Sequence, residues 1–200
     1  ICIVYEDGHV IVGTVDGSRV WSREIGALLT HVEWAPDGRW LLFGTGEGPI
    51  MVFNHQGAKI GNLELQAISD IGHPVPLVAV EWYDGAEGYC FPDVPCLAVA
   101  FANGRVQIMR EADDPKPVLL DTGLRLTQCR WNTAGTMLAL AGARTVGGKE
   151  ASEVQFYTPF GRYVTTMKVP GGTINSITWE GGGLRMAVRC EAAGEGGGGI

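Results

Sequence analysis

The stretch Leu126-Thr127-Gln128-Cys129-Arg130-Trp131 alternates apolar and polar side chains and ends on a tryptophan. Three other stretches have the same form: Thr30-His31-Val32-Glu33-Trp34, Leu77 to Trp82, and Asn175-Ser176-Ile177-Thr178-Trp179. Their tryptophans, Trp34, Trp82, Trp131 and Trp179, stand 48, 49 and 48 residues apart. Apolar–polar alternation leading into each tryptophan reads as a half-buried strand, and a spacing this regular reads as a repeat. Glycine-containing turns follow three of the tryptophans, at Pro36-Asp37-Gly38, Thr133-Ala134-Gly135 and Gly181-Gly182-Gly183. A second apolar run comes after each turn, so every unit is expected to hold several antiparallel strands.

Repeats of this length built from strands point to an all-β fold, a WD-type β-propeller with one four-stranded blade per repeat. The chain divides into three complete blades and two incomplete ones. Ile1–Tyr5, His9–Gly13 and Arg19–Ser22 give three strands of the first, separated by the turn-forming pairs Asp7-Gly8 and Asp16-Gly17. Complete blades are expected over 30–63, 77–120 and 127–169. Thr173–Trp179 and Leu184–Val188 begin a fifth. Three insertions interrupt the pattern, at 66–76, 83–95 and 144–151. In a WD propeller, 66–76 and 144–151 project from one face and 83–95 from the other. Residues 1–188 are thus read as a partial propeller and 189–200 as a Gly-rich disordered tail, since it has too little apolar surface to offset its ordering entropy.

Composition bounds the function. Hydrophobic residues make up 46% and charged residues 18% of the 200, the balance of an ordinary globular chain. A net charge of −7 with only four lysines provides no basic face for phosphates, which disfavours nucleic acid and anionic membrane surfaces. No apolar run reaches the roughly 18–20 residues of a membrane helix. Five cysteines without a Cys-x-x-Cys pair form neither a disulfide framework nor a zinc site, and fit a reducing compartment. Cys129 shares a strand face with Trp131 and is expected to be a small buried side chain. The chain opens at Ile1 inside a strand pattern, as a fragment would.

No catalytic or cofactor-binding constellation emerges. A Walker loop, a Gly-x-Ser-x-Gly elbow and a His-Glu-x-x-His helix are all missing from the sequence. Ser69, Asp70 and His73 fall in one insertion and suggest a hydrolase, but triads are assembled from distant rigid segments. His9, His31, His55 and His73 are scattered, with no second ligand at metal spacing. Glu111, Asp113 and Asp114 lack the alternating oxygen ligands of a calcium loop and read as a hairpin tip. The four tryptophans could be a ligand-stacking set; one per blade at a fixed position is instead what packing between sheets requires. No catalytic, cofactor or metal residue is therefore expected, and Trp34, Trp82, Trp131 and Trp179 are structural repeat positions.

Beyond the generic repeat, several long runs carry a specific resemblance: Ile1-Cys2-Ile3-Val4-Tyr5-Glu6-Asp7-Gly8, Val15-Asp16-Gly17-Ser18-Arg19-Val20-Trp21, Cys96-Leu97-Ala98-Val99-Ala100-Phe101-Ala102-Asn103-Gly104-Arg105, Val154-Gln155-Phe156-Tyr157-Thr158-Pro159-Phe160-Gly161 and Trp179-Glu180-Gly181-Gly182-Gly183-Leu184-Arg185. They closely resemble the WD-repeat subunit family of intraflagellar transport complex A. The resemblance covers about Ile1 to Val188 and implies part of the first of two amino-terminal propellers, which a helical solenoid follows in the family. It implies a non-enzymatic scaffold without cofactors, acting in retrograde transport, cilium assembly and delivery of membrane proteins to the cilium. Its implied partners are the other subunits of the complex and ciliary membrane-protein cargo. Its implied locations are the cytoplasm and the cilium, including axoneme and basal body. The usual Trp-Asp repeat ending is replaced by Phe53-Asn54, Met109-Arg110 and Tyr157-Thr158. The tail after Val188 departs from the family's apolar strand, and a gene-model error or truncated transcript is expected to account for it. The alternative reading is a propeller enzyme or metal-binding propeller with a site at the channel mouth.

Overall fold

In a computed structural model, which describes residues 1–83, 96–110 and 114–191, the chain is a succession of antiparallel sheets. Blade 1 has three strands, β1 (Cys2–Val4), β2 (His9–Gly13) and β3 (Arg19–Glu24). Blade 2 is β4 (Leu29–Trp34), β5 (Trp40–Thr45), β6 (Ile50–Asn54) and β7 (Lys59–Asn62). A 3-10 turn at Gln66–Ile68 leads to blade 3, made of β8 (Leu77–Tyr83), β9 (Cys96–Phe101), β10 (Arg105–Met109) and β11 (Val118–Asp121). Blade 4 is β12 (Arg125–Trp131), β13 (Leu138–Val146), β14 (Lys149–Tyr157) and β15 (Tyr163–Val169). Blade 5 has β16 (Ile174–Trp179) and β17 (Met186–Cys190). Three four-stranded sheets between two smaller ones are the blades expected from the tryptophan repeat.

Blades 2, 3 and 4 are buried on both faces by their neighbours. Second strands accordingly lose the alternation of the first: all six residues of β9 are buried, as are Leu41 to Gly44 in β5. Outer strands face solvent, and β15 exposes Tyr163, Val164 and Met167. The core therefore consists of one apolar seam per pair of blades. Seam 1/2 gathers Val10, Val12, Leu41, Phe43 and Phe53 around Trp21 and Trp34, with Phe43 and Phe53 edge to face at 5.2 Å. Seam 3/4 gathers Tyr83, Cys129, Trp131 and Tyr157, and seam 4/5 packs Phe156 on Trp179 at 5.9 Å.

A register shift recurs in every inner strand four residues before its tryptophan, at Thr30, Val78, Thr127 and Asn175. A bulge adds twist and re-aims the neighbouring side chain. Across two seams a side chain beside or at the bulge reaches the next blade: His31 Nε2 lies 3.0 Å from the Val78 carbonyl, and Thr127 Oγ1 donates to Ile174 O at 2.8 Å. The turns after the tryptophans also repeat, with the amides of Gly38, Gly135 and Gly183 donating to the carbonyls three residues earlier.

Two sequence expectations are corrected. Residues 144–151 are not an insertion but the continuation of a hairpin: Arg144, Thr145 and Val146 pair with Ala151, Glu150 and Lys149, closed by Gly147 and Gly148 at φ of 58° and 80°. The two glycines obscured strand residues on either side of them. The last strand starts at Met186 and runs to Cys190 instead of stopping at Val188, and Glu191 N donates to Thr173 O to extend the pairing. Residues 192–200, most of the expected tail, lie outside the described residues, as do 84–95 of the expected opposite-face insertion.

Candidate interaction faces and seams

Contacts place the linkers between blades and the β9–β10 and β13–β14 hairpins at one end of the sheets. Asp70 in the 66–76 linker binds the Arg105 guanidinium, with Arg105 Nη2 to Asp70 Oδ2 at 3.1 Å. Thr122 N donates to Gly104 O, and Arg125 pairs with Glu150 at 3.0 Å. The linker 66–76 and the tip 144–151 thus share a face, which carries exposed Val146 at the hairpin end. Gly104 fixes this geometry: its φ is 95°, and a Cβ there would lie 2.5 Å from the Leu124 carbonyl oxygen.

The tryptophans tie the seams at the other end. Trp131 Nε1 donates to Glu81 O at 3.2 Å, and Trp179 Nε1 to Arg130 O at 3.4 Å. Both acceptors immediately precede the tryptophan of the previous blade. Trp82 breaks the series: its Nε1 is buried without an acceptor. The seam it belongs to contains a cleft of about 740 Å³, lined among the described residues by Leu42, Val52, Ile60, Trp82, Leu97 and Met109. Beside the tryptophans, Arg130 pairs with Glu81, whose carboxyl burial raises above the usual range while the Arg130 charge lowers it.

A second polar series escaped the sequence reading. Gln107 in β10 is fully buried; its Nε2 donates to Glu64 O at 2.8 Å and its Oε1 accepts from Ala67 N at 3.1 Å. Gln155 in β14 stands at the same register position, opposite Leu140 as Gln107 is opposite Val99, and its Nε2 donates to Thr122 O at 3.2 Å. The signal was present in Val106-Gln107-Ile108 and Val154-Gln155-Phe156, a glutamine inside an apolar strand repeated after 48 residues.

The residues weighed for catalysis do not assemble. Ser69 Oγ donates to Gln66 O at 2.9 Å, Asp70 is held by Arg105, and His73 Nδ1 lies 3.0 Å from Pro74 O, all three exposed. His9 pairs with Ser22, and His55 supplies the carbonyl that accepts the Trp21 indole N–H at 2.9 Å. Among the described residues no group of three His, Cys, Asp or Glu side chains could hold a metal ion. Glu111 and Asp113 lie outside the described residues. Asp114 is buried against Arg110 at 3.1 Å; burial would raise its carboxyl, but hydrogen bonds from Arg110 and Lys116 outweigh it and lower it. Burial pushes the Cys129 thiol well up, as expected of a packed side chain and not of a nucleophile. Among the described residues no helix is long and apolar enough to cross a membrane.

Comparison with known proteins agrees with this architecture. The chain is 46% identical over 195 residues to WD repeat-containing protein 35 of Rattus norvegicus, covering 96% of the chain and 17% of that protein. The identity is the same for the Homo sapiens protein, of which 16% is covered. Tubby-related protein 4 of Homo sapiens is 30% identical over 209 residues, covering 88% of the chain and 14% of that protein. The chain thus spans about one sixth of the length of these relatives. Among solved structures, a dihydro-heme d1 dehydrogenase, NirN, in complex with DHE superposes with a TM-score of 0.65 at 15% identity, covering 90% of this chain and 36% of that one. At that identity the likeness concerns the fold alone. The WDR35/TULP4 N-terminal family profile matches residues 1–193. With its blades, tryptophan positions and seams in place, the chain belongs to the WDR35/TULP4 N-terminal β-propeller family.

Proposed function

We propose that this propeller is a non-enzymatic interaction module of an intraflagellar transport A particle. In this reading it supports retrograde transport, cilium assembly and delivery of membrane proteins to the cilium. Its partners are other subunits of that complex and ciliary membrane-protein cargo, and it works in the cytoplasm and the cilium, at the axoneme and basal body. The observation that carries the reading is the extended likeness to WD repeat-containing protein 35, well above that to Tubby-related protein 4. The site chemistry is compatible with it. Side chains weighed for catalysis are occupied in turn and seam hydrogen bonds, and loops on a rigid sheet scaffold are the usual place for partner binding.

Affinity purification of the tagged intact protein from ciliated cells tests this. Co-purification of intraflagellar transport A subunits, with shortened or cargo-swollen cilia on depletion, is the expected result. A protein that recovers none of those subunits and is dispensable for cilia overturns the reading. A stoichiometric metal in the purified protein would favour the alternative, a metal-binding or enzymatic propeller.

A further inference from the structure

The outer parts of seams 2/3 and 3/4 each hold a buried glutamine, but among the described residues only seam 2/3 has a linker segment packed along that glutamine, beside its apolar cleft. In seam 2/3, Gln107 donates to Glu64 O, the first residue after the outer-strand pairing of blade 2, and then accepts from Ala67 N. Arg105, two residues before Gln107, donates to Ala67 O at 3.0 Å and binds the Asp70 carboxylate. Residues 64–70 of the chain therefore lie along blade 3 as a short segment with a 3-10 turn at Gln66–Ile68, gripped by an amide and a guanidinium. In seam 3/4, Gln155 likewise donates to a carbonyl of the linker after the outer strand, that of Thr122, but there the chain turns at once through Gly123 and Leu124 into β12. Among the described residues no segment lies where 65–70 lie one blade earlier. A groove of about 670 Å³ takes its place, with Arg144, Glu153, Gln155, Tyr157, Tyr163 and Thr166 along it.

We infer that this groove docks a short, turn-containing peptide segment of a partner protein, in the manner in which residues 64–70 occupy the preceding seam. Tyr157 O–H donates to Gln155 Oε1 at 2.7 Å where Ala67 N donates to Gln107, and an amide oxygen has a second lone pair for a backbone N–H. The walls are a buried glutamine and glutamate with tyrosine and threonine hydroxyls, groups that read a polypeptide backbone. Charge selects the side chain. Glu153 stands at the register position of Arg105, and its Oε1 already accepts from Gln155 and pairs with Arg144 at 3.3 Å. Lys168 lies opposite Glu153 in β15 but does not line the groove. With Asp121 at the rim, the residue seated where Asp70 sits in seam 2/3 is a lysine or arginine.

This inference rests on the interaction-module reading but fails separately from it. The probe is a fluorescent peptide copying residues 62–72, unaltered or carrying Asp70→Lys, titrated against the intact protein by anisotropy. The Asp70→Lys peptide should bind saturably and at least about fivefold more tightly than the unaltered one. Thr166→Arg, a half-buried outer-strand change that fills the groove, should abolish binding, and Glu153→Arg should reverse the charge preference. If Glu153→Arg does not fold, the Thr166→Arg variant and the peptide pair carry the test. Absence of binding by either peptide at millimolar concentration overturns the inference, as does a lack of charge preference. Binding that survives Thr166→Arg overturns it too, by placing the peptide elsewhere, for example in the apolar cleft of seam 2/3. A protein that still recovers intraflagellar transport A subunits while failing this titration loses only the peptide groove.

Discussion

The indole N–H of Trp131 reaches across seam 3/4 to the carbonyl of Glu81, whereas the equivalent N–H of Trp82 is buried with no acceptor. The two tryptophans occupy the same repeat position with opposite hydrogen-bond states, and substitution separates packing from polarity. Trp131→Ala should cost about 3–5 kcal/mol through the cavity it leaves, and Trp131→Phe about 1–2 kcal/mol through the lost bond and smaller ring. Trp82→Phe removes an unsatisfied donor and should change stability by less than about 1 kcal/mol. Urea denaturation of the three variants gives the order, and a Trp131→Ala loss below about 1 kcal/mol would show that this seam is assigned wrongly.

The Arg130–Glu81 pair gives a pH dependence. Burial raises the Glu81 carboxyl above its ordinary 4.5, so the folded state favours its protonated form. The Glu81 contribution is then fully present below that range and is lost as pH rises through the raised value. Glu81→Gln should be neutral or stabilising at pH 7 and should flatten the fall in melting temperature above pH 4.5. Arg130→Met leaves the carboxylate without its counter-charge and should cost about 1–2 kcal/mol at pH 7, less than for a fully buried pair because Arg130 is half exposed. Thermal melts from pH 4 to 7 decide it; a larger loss for Glu81→Gln than for Arg130→Met would refute the assignment.

Gly104 and Gly17 share positive φ, 95° and 91°, but only at Gly104 would a Cβ meet a backbone oxygen at 2.5 Å. Gly17→Ala should therefore cost about 1 kcal/mol for conformation alone. Gly104→Ala adds a clash that requires Leu124 to move, and should cost more than about 2 kcal/mol. Equal losses in chemical denaturation would mean that the linker after β11 yields freely.

Among the described residues, no strand pairs with the free inner edge of β1 in blade 1, and none lies beyond β17 in blade 5. Edges of this kind are association sites, and Val164 and Met167 on β15 are exposed near the short blade 5. Residues 1–200 alone should be oligomeric by light scattering. A compact monomer with a cooperative melt would contradict an open succession of blades.

The architecture was legible because the tryptophans are large, singular and periodic, and because each lies at the end of an alternating strand. Glycine-rich composition hid the 144–151 hairpin, whose Thr145 and Val146 are strand formers interrupted by a two-glycine turn. Gln107 and Gln155 were passed over because one polar residue in an apolar strand has no meaning until its seam partner is known. That partner lies 43 residues away for Gln107 and 33 for Gln155, and nothing local in the sequence announces it. The groove of seam 3/4 was invisible for the same reason, since it follows from linker length compared between two blades.

In the interaction module proposed above, partners engage the face bearing the 66–76 linker and the 144–151 hairpin. Amide hydrogen exchange on the intact protein, free and assembled with its partner subunits, measures this directly. Added protection should fall on 66–76, 102–105, 122–125 and 144–151, with the turns at 35–38, 132–135 and 180–183 unchanged. Protection confined to those turns, or the same exchange in both states, would contradict it.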